Sequence, residues 1–367
     1  MTSKPFLLVD CSIHNQDLYY ATEFLAEDRF LYLKSGDKEI ILIPQMELGR
    51  ARKESRISDI RTTADYGVIE KLKRHGRERA YCLVVSELLR DEGITDVCVP
   101  HNFQIFLADE LRSHGFKINP VPSPITKLRA IKTRNEIEYI KKAQMCCEAA
   151  MQSAVDAIRK AEIRDGVLEK SGQPLSSEGV KAVIEHTLID CGCESHSTIV
   201  ACGTDAADPH NTGTGALSAD ENIVIDIFPR LRMERYWADM TRTVARGSPS
   251  QALIEMYDAV LDAQSAGLGM VRAGISGSDI HNAVCDVFED QGYLDLFIHS
   301  TGHGVGLDVH EDPHIGVGGG MLEAGNVITI EPGLYDHEIG GIRIEDLVVV
   351  TETGCRNLTT MEKRFVV

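Results

Sequence analysis

Three strand-like runs of this sequence each carry an acidic residue at a position where a buried strand is expected to be apolar. The runs are Asn222–Phe228, Asn326–Pro332 and Ile342–Val350, and their acids are Asp226, Glu331 and Glu345. The neighbours of each acid are mostly Val, Ile and Leu, which is typical of strands covered on at least one face. Burial of an isolated carboxylate costs several kcal/mol or forces it to be protonated. Three such acids in one region therefore indicate a shared cation.

Asp239 and His303 extend this set. Asp239 lies in a further strand-like stretch, and the charged segment Pro229–Arg235 separates it from Asp226. This arrangement predicts two adjacent antiparallel strands that bring both acids to one side. His303 lies in a Gly-His-Gly-Val-Gly segment, where glycine lets the backbone approach closely beside a ligand-bearing side chain.

The chemistry of these five side chains predicts two divalent cations. Four carboxylates and a neutral imidazole carry a charge of about −4, and carboxylates can bridge two ions ~3.5–4 Å apart. An oxygen-rich donor set favours Mn²⁺ or Co²⁺, with Zn²⁺ and Fe²⁺ as alternatives. We therefore expect a two-metal hydrolase whose ligands are Asp226, Asp239, His303, Glu331 and Glu345.

Two further histidines favour catalysis over a purely structural site. His210 follows a strand-like run in a turn-like segment, and His310 lies shortly after His303. A histidine near the metals can donate to a developing oxyanion or protonate a leaving nitrogen. Taken singly, a loop histidine is more often a surface residue, and Glu345 alone would also fit an ordinary ion pair with Arg343.

Composition excludes several classes of protein. The chain has 367 residues, 43% of them hydrophobic, and a formal net charge of −18 without a long basic run, so nucleic acid is not an expected partner. No segment reaches the ~20 apolar residues of a membrane helix, and the first residues lack the apolar core of a signal peptide. The ten cysteines form no CxxC motif. We expect a cytoplasmic protein with reduced thiols.

The length predicts two domains. Residues 1–123 alternate short apolar runs with amphipathic stretches, which indicates a small α/β domain. The segment Asn119–Pro124 contains three prolines, which is typical of a linker, and a long helical pattern follows over residues 127–160. Residues 124–367 form the second predicted domain, so the fold class is α/β (α+β).

The ordered set of motifs resembles the pita-bread metallopeptidases, the family of methionine aminopeptidase, aminopeptidase P and prolidase. The matching stretches are Ile199–Gly203, Pro209–His210, Val224–Asp226, Asp239–Thr243, Gly302–His310, Ile330–Gly333 and Ile342–Glu345. The resemblance covers residues 127–361 and is closest to the Xaa-Pro branch, whose smaller creatinase-like companion domain the N-terminal part resembles. It implies two pseudo-symmetric α/β halves around a curved antiparallel sheet.

The resemblance also implies a role for each site residue. Asp226 would hold one metal, Asp239 and Glu345 would bridge both, and His303 and Glu331 would complete the second. A bridging hydroxide would attack the scissile carbonyl, with His210 assisting at the leaving side and His310 binding substrate. The loop Arg230–Arg235 is longer than in the common pattern, and Ala238 stands where serine or glycine is more familiar.

The expected function is that of an Xaa-Pro exopeptidase, of the aminopeptidase P or prolidase type, acting on peptides as a homodimer. The companion domain and Arg343 favour this branch over a methionine-type aminopeptidase, which Gly302–Gly306 and His310–Pro313 would also fit. A non-catalytic binding protein and a hydrolase of the creatinase branch remain alternatives. Both classes commonly lose metal ligands, whereas all five are present here.

Overall fold

The computed structural model describes residues 4–367 and divides the chain into two compact units. The first unit ends at Arg129 and the second is Ala130–Val367. Each unit has hydrophobic clusters of its own. Among the described residues, no helix is long and apolar enough to cross a bilayer.

The first unit is a six-stranded mixed sheet with helices. Its strands are β1 (Phe6–Asp10), β2 (Phe30–Ser35), β3 (Lys38–Ile43), β4 (Asp59–Thr62), β5 (Asp96–Pro100) and β6 (Lys117–Val121). Its helices are α1 (Gln16–Thr22), α2 (Leu48–Glu54), α3 (Val68–His75), α4 (Arg77–Asp91), α5 (Ile105–Ser113) and, at the boundary, α6 (Pro124–Ala130), with a 3₁₀ turn at Gln45–Glu47. The strand order is β4-β3-β2-β1-β5-β6.

Burial on both faces explains the apolar runs of this sheet. Along β1, Leu7 and Val9 join one hydrophobic cluster while Phe6 and Leu8 join the cluster on the opposite face. Successive side chains of a strand point to opposite faces, so a strand covered on both sides is apolar throughout. The short apolar runs from which the sequence indicated an α/β domain in residues 1–123 include several strands of this sheet.

The proline-rich segment after residue 118 is not the open linker that the sequence indicated. Its first part belongs to β6, which pairs in parallel with β5, and Pro124 begins α6. Proline is tolerated in β6 because it is an edge strand of the sheet. The predicted domain boundary between residues 123 and 124 stays a prediction, and the division of the chain into compact units falls between Arg129 and Ala130.

The second unit contains two helix pairs and several antiparallel sheets. Its helices are α7 (Arg134–Arg159), α8 (Ser177–Asp190), α9 (Gln251–Met270) and α10 (Gly277–Asp290), with 3₁₀ turns at Gly203–Ala207 and Leu294–Leu296. The strands of its first half are β7 (Glu162–Arg164), β8 (Val167–Lys170), β9 (Gln173–Pro174), β10 (Cys193–Glu194), β11 (Ile199–Cys202), β12 (Asn222–Ile227), β13 (Arg230–Leu231) and β14 (Met240–Ala245). Those of the second half are β15 (Gly302–Gly304), β16 (Glu311–Ile315), β17 (Val327–Ile330), β18 (Gly333–Asp336), β19 (Gly340–Arg343), β20 (Asp346–Val350) and β21 (Cys355–Asn357).

Two antiparallel sheets of this unit carry the residues of interest. One has the strand order β11-β12-β14, and the other has the order β16-β15-β17-β20-β21. Helix α7 packs against α8 before the first sheet, and α9 packs against α10 before the second. The unit therefore repeats one plan, a helix pair followed by an antiparallel sheet.

Two predicted elements are divided in the structure. The helical pattern over residues 127–160 is interrupted between α6 and α7, where Thr133 and Glu136 form a capping box that begins α7. The predicted strand-like run Ile342–Val350 is likewise divided between two strands: β19 pairs with β18, while β20 pairs with β17. Glu345 lies between them, at the point where the chain changes its partner strand.

Candidate metal centre

The hairpin of β12 and β14 places Asp226 and Asp239 on one face. Asp226 lies directly opposite Thr241 in the antiparallel pair, so their side chains share a face. Asp239 precedes Thr241 by two positions, the spacing at which side chains of an extended segment return to the same face. Both acids are buried. The predicted pairing of these two strands is confirmed.

His303 and Glu331 come together through the pairing of β15 with β17. The close approach of these strands requires glycine at Gly302, because a Cβ atom there would overlap the backbone oxygen of Thr329. The Thr329 hydroxyl accepts the His303 backbone N–H at 3.0 Å and donates to Glu331 Oε1 at 3.1 Å. One threonine therefore fixes both residues.

Three of the predicted ligands meet at one point. Suitable donor atoms of Asp239, His303 and Glu345 all lie within 4.8 Å of one another. His303 Nε2 lies 3.2 Å from Glu331 Oε1 and 3.7 Å from Asp239 Oδ2. His303 Nδ1 lies 3.1 Å from the Gly304 carbonyl oxygen, to which it donates, so Nε2 faces the carboxylates. This is the orientation that a metal-ligating histidine adopts.

Asp226 is held by Arg343. Arg343 Nη2 donates to Asp226 Oδ2 at 2.8 Å, Nη1 donates to the Tyr335 hydroxyl at 2.9 Å, and Nε donates to the Thr241 hydroxyl at 3.2 Å. The ordinary ion pair that the sequence allowed between Arg343 and Glu345 is therefore not formed. Arg343 and Glu345 are separated by one residue, and Arg343 points to the acid of another strand.

Glu345 is held by Thr241 and, through its backbone, by Arg242. The Thr241 hydroxyl donates to Glu345 Oε2 at 2.8 Å, and the Glu345 backbone N–H donates to the Thr241 carbonyl at 3.1 Å. The Arg242 guanidinium donates to the Glu345 carbonyl at 2.6 Å and pairs with Asp346 at 2.9 Å. Strands β14 and β20 are thereby joined at the acid.

Crowding of carboxylates shifts the acid–base properties of the cluster. Burial raises the pKa of Asp239 and of Glu345 well above the ordinary values, and the neighbouring acids add to this. Burial also opposes ionisation of Glu331, but its hydrogen bond with His303 and the positive charges of His303, His299 and Arg343 together outweigh burial and lower its pKa to about 2. For His303, burial is outweighed by Glu331, and its pKa is raised. Without a cation, ionisation of Asp239 and Glu345 therefore costs free energy that a bound cation would offset.

The residues fit a divalent cation. Asp226 Oδ1 and Glu345 Oε1 are buried and have no hydrogen-bond partner, whereas the second oxygen of each carboxylate is held by Arg343 or Thr241. Buried polar atoms without partners are rare, and a metal ion is one established reason for them. Carboxylate oxygens and one imidazole nitrogen suit Mn²⁺, Fe²⁺, Co²⁺ or Zn²⁺.

The two predicted catalytic histidines lie beside this cluster on exposed positions. The His310 ring packs edge-on against His303, with 4.2 Å between the ring centroids and 87° between the planes. Desolvation lowers the pKa of His310, and His303 adds to the effect. His210 follows a 3₁₀ turn and lies close enough to contribute to the lowered pKa of His310, after burial and nearer groups.

The sequence reasoning missed three residues of the centre. His299 Nε2 lies 2.9 Å from the hydroxyl of Tyr335, which accepts from Arg343. Tyr335, Thr241 and Arg242 carried no functional expectation of their own. The available signal was the run of three polar residues, Thr241, Arg242 and Thr243, in β14. The structure shows that their side chains are completely or almost completely buried.

The loop Arg230–Arg235 forms a short strand. Its first two residues are β13, which pairs with β10 through Cys193↔Leu231 and Glu194↔Arg230. Arg230 also lies over the ring of Trp237, with 5.4 Å from its guanidinium carbon to the ring centroid. The Trp237 ring N–H donates to the Leu307 carbonyl at 3.0 Å. The extra residues of this loop therefore lie within the unit's own hairpin.

Comparison with known proteins agrees with the geometry. Residues 138–352 match the profile of metallopeptidase family M24, and residues 9–131 match the creatinase/prolidase N-terminal domain. An Xaa-Pro dipeptidase of Pyrococcus furiosus is 32% identical over 334 residues, 90% of this chain and 87% of that protein. The Xaa-Pro dipeptidase structure from Bacillus anthracis superposes with a TM-score of 0.84 at 26% identity, covering 99% and 94% of the two chains. The X-Pro aminopeptidase structure from Thermotoga maritima superposes with a TM-score of 0.81 at 28% identity, covering 99% of this chain and 97% of that chain.

The fold and the site define a metal-dependent peptidase. The chain belongs to metallopeptidase family M24 and has the pita-bread fold, with a creatinase-like domain at its N-terminus. The predicted family and fold class are thereby confirmed, and so is the expectation of an enzyme that requires divalent metal ions.

Proposed function

We propose that this protein is an Xaa-Pro exopeptidase with a dinuclear metal centre. The observation that carries the proposal is the buried cluster of Asp226, Asp239, His303 and Glu345, with two carboxylate oxygens that have no hydrogen-bond partner. The relatives named above support the proline preference, because two are called Xaa-Pro dipeptidases and one an X-Pro aminopeptidase.

Five side chains would hold the two cations: Asp226, Asp239, His303, Glu331 and Glu345. When bound, the cations would polarise the substrate carbonyl and lower the pKa of a water between them. The assignment of Asp239 and Glu345 as ligands shared by both ions stays a prediction. Mn²⁺ is the favoured ion, on the grounds of the oxygen-rich donor set.

Arg343 and Thr241 orient the acids. Arg343 fixes one oxygen of Asp226 and leaves the other without a hydrogen-bond partner, and Thr241 does the same for Glu345. Arg343 also offsets one negative charge, which limits the repulsion among the buried carboxylates. Side chains fixed before a substrate arrives need little reorganisation during reaction.

His310 and His210 would handle protons and substrate oxygens. The lowered pKa of His310 keeps its imidazole neutral near pH 7, so that it can donate one hydrogen bond or accept a proton. His210 lies on an exposed turn, where a substrate can reach it. We assign His210 to the leaving amine and His310 to the carbonyl side of the scissile bond.

The proposal is tested by hydrolysis of Ala-Pro, Ala-Pro-Ala and Met-Ala-Ala with apo protein reconstituted with Mn²⁺, Co²⁺ or Zn²⁺. An Asp239→Asn variant is the control, because it keeps the size of the side chain and removes a ligand charge. We expect cleavage of a proline substrate, a loss of at least ~10³-fold in the variant, and two metal equivalents in wild type by elemental analysis.

The pattern of cleavage decides among the alternatives. Cleavage of Ala-Pro alone indicates a dipeptidase, and cleavage of Ala-Pro-Ala indicates an aminopeptidase. Cleavage of Met-Ala-Ala with both proline peptides intact would contradict the proposed specificity. Two bound metals without any cleavage would contradict the proposed peptide substrate.

A homodimer belongs to the same proposal and rests on the family resemblance. Sedimentation equilibrium of the metal-loaded protein measures it directly. A monomer at micromolar concentration with full activity would exclude any need for a partner subunit. The predicted cytoplasmic location stays a prediction.

A further inference from the structure

A buried ion pair lies directly beside the proposed catalytic histidine. Lys132 Nζ lies 2.7 Å from Glu311 Oε1, and the two side chains are only 1% and 5% exposed. Lys132 Nζ also donates to the Ala130 carbonyl at 3.2 Å, and the Lys132 backbone N–H donates to the Gly325 carbonyl at 2.9 Å. The ammonium group is therefore fixed, and Glu311 is the residue that follows His310.

The Glu311 carboxylate organises the loop that precedes it. Its Oε2 accepts the Asp308 backbone N–H at 3.3 Å, and the Gly306 N–H donates to the Asp308 carbonyl at 3.0 Å. At Gly306 a Cβ atom would overlap the Glu311 carboxylate, so the loop closes tightly around this group. A loop wrapped around a charged group depends on that group for its conformation.

Trp237 holds the same loop through two further hydrogen bonds. Its backbone N–H donates to the Gly306 carbonyl at 2.9 Å, and its ring N–H donates to the Leu307 carbonyl at 3.0 Å. Trp237 lies two residues before Asp239. The loop of residues 306–311 is thus fixed between the Lys132–Glu311 pair and the hairpin that carries a proposed metal ligand.

Stability alone is a weak reason for such a pair. Removing two charges from water costs about as much as their attraction returns, so a buried ion pair is often no better than apolar packing. Orientation is a stronger reason, because a displacement of ~1 Å at a reacting group can lower a rate by ~10²-fold. The proposed reacting group here is His310, whose ring centroid lies 4.2 Å from that of His303.

We propose that Lys132 and Glu311 are positioning residues that hold the 306–311 loop and orient the His310 imidazole toward the metal centre. The inference rests on the proposed function for the role of His310, but the orientation itself is measured without any substrate. Neither residue touches the reacting atoms, so both act through His310.

The test uses the full-length protein with ¹⁵N-labelled histidine, and compares Glu311→Gln, Lys132→Met and Lys132→Arg with wild type. Glu311→Gln keeps an acceptor for the Asp308 N–H and loses the charge. The spectrum of His310→Gln identifies the His310 signals, and His14 in the first unit is an internal reference. Glu92→Gln is the matched control, because it removes an ion pair with Arg61 in the first unit, whereas Lys132 and Glu311 both lie in the second unit.

We expect Glu311→Gln and Lys132→Met to shift or broaden the His310 imidazole signals and leave those of His14 unchanged. With metal and a proline substrate, kcat should fall ~10–100-fold while KM changes less than ~3-fold. Lys132→Arg should restore part of kcat because it keeps the charge. Glu92→Gln should lower the melting temperature and leave kcat and the His310 signals unchanged.

A purely structural pair would give a different result. Lower melting temperatures in both variants, with unchanged His310 signals and kcat within ~2-fold of wild type, would overturn the inference. If Lys132→Met does not fold, Glu311→Gln carries the test. A wild-type protein without peptidase activity would refute the proposed function, while the His310 signals would still decide whether the pair sets the ring's orientation.

Discussion

At the scale of single residues, the centre depends on how each carboxylate divides its two oxygens. Asp226 gives one oxygen to Arg343 and Glu345 gives one to Thr241, and the second oxygen of each has no hydrogen-bond partner. Such an arrangement is unfavourable in the metal-free protein, because it combines desolvation with repulsion among like charges. Binding of a cation would offset both costs.

Because of this cost, we predict that Glu345→Gln is more stable than wild type without metal and less stable than wild type with metal. In the metal-free protein the neutral side chain relieves repulsion, so we expect stability to rise by about 1–3 kcal/mol, part of what juxtaposed like charges cost. With saturating Mn²⁺, wild type gains the linkage free energy of tight binding and the variant gains less. Thermal melts in chelator and in Mn²⁺ measure both, and the order of melting temperatures should invert.

Glu92→Gln is the matched control for this prediction. It removes a carboxylate paired with Lys38 and Arg61 in the first unit, so it should lower the melting temperature equally in both conditions. If Glu345→Gln melts below wild type in chelator as well, the carboxylate cluster is not a source of repulsion.

At the scale of elements, the site depends on close contacts between helices and strands. Gly267 and Gly269 both lie in α9, but their surroundings differ. A Cβ atom at Gly267 would meet Val284 Cγ2 of α10 at 3.0 Å and Ile330 Cγ2 of β17 at 3.1 Å, whereas one at Gly269 would meet nothing within 4 Å. Ile330 immediately precedes Glu331. Packing of α9 therefore bears on a proposed ligand.

The same substitution at these two glycines should have opposite effects. Gly269→Ala should stabilise the protein by about 0.5–1 kcal/mol, because alanine favours the helix and has room. Gly267→Ala gains the same helix propensity but overpacks the contact with β17, so we expect a net loss of about 1 kcal/mol. Urea titrations of the two variants measure the difference. Equal stabilities would show that α10 and β17 move to accommodate the added methyl group without a cost in free energy.

At the scale of the whole molecule, the proposed metal centre belongs to one of the two compact units. All five proposed ligands and both histidines proposed to be catalytic lie in Ala130–Val367, on strands of antiparallel sheets or on the segments that connect them. The first unit has its own sheet and its own cores on both faces of that sheet. Metal binding is therefore expected to act on one unit.

Hydrogen exchange tests this division. Removing metal with a chelator should speed amide exchange in β12, β14, β15, β17 and β20, because the repulsion of the metal-free cluster favours local opening. The amides of β1–β3 should exchange at unchanged rates. Mass spectrometry of peptides from wild type with and without Mn²⁺ gives the comparison. Faster exchange throughout the first unit on chelation would show that the metal stabilises the whole chain.

The sequence by itself determined several strands and singled out the proposed ligands, because both leave local signals. An acid within a run of Val and Ile is visible without coordinates, and so is the antiparallel hairpin around Pro229–Arg235. The split of the last predicted strand at Glu345 was not visible, because it depends on which strands become neighbours. A local pattern of residues indicates that a strand is buried, but it does not specify which strand pairs with it.

Only the tertiary structure decided which groups support those ligands. Arg343 pairs with Asp226, 117 residues away along the chain, and not with Glu345 nearby. Lys132 meets Glu311 across 179 residues. Neither contact has a local signature, because a buried charge can be satisfied by any opposite charge that the fold brings within reach. Packing, which fixes these distances, therefore determined the environment of residues that the sequence had already singled out.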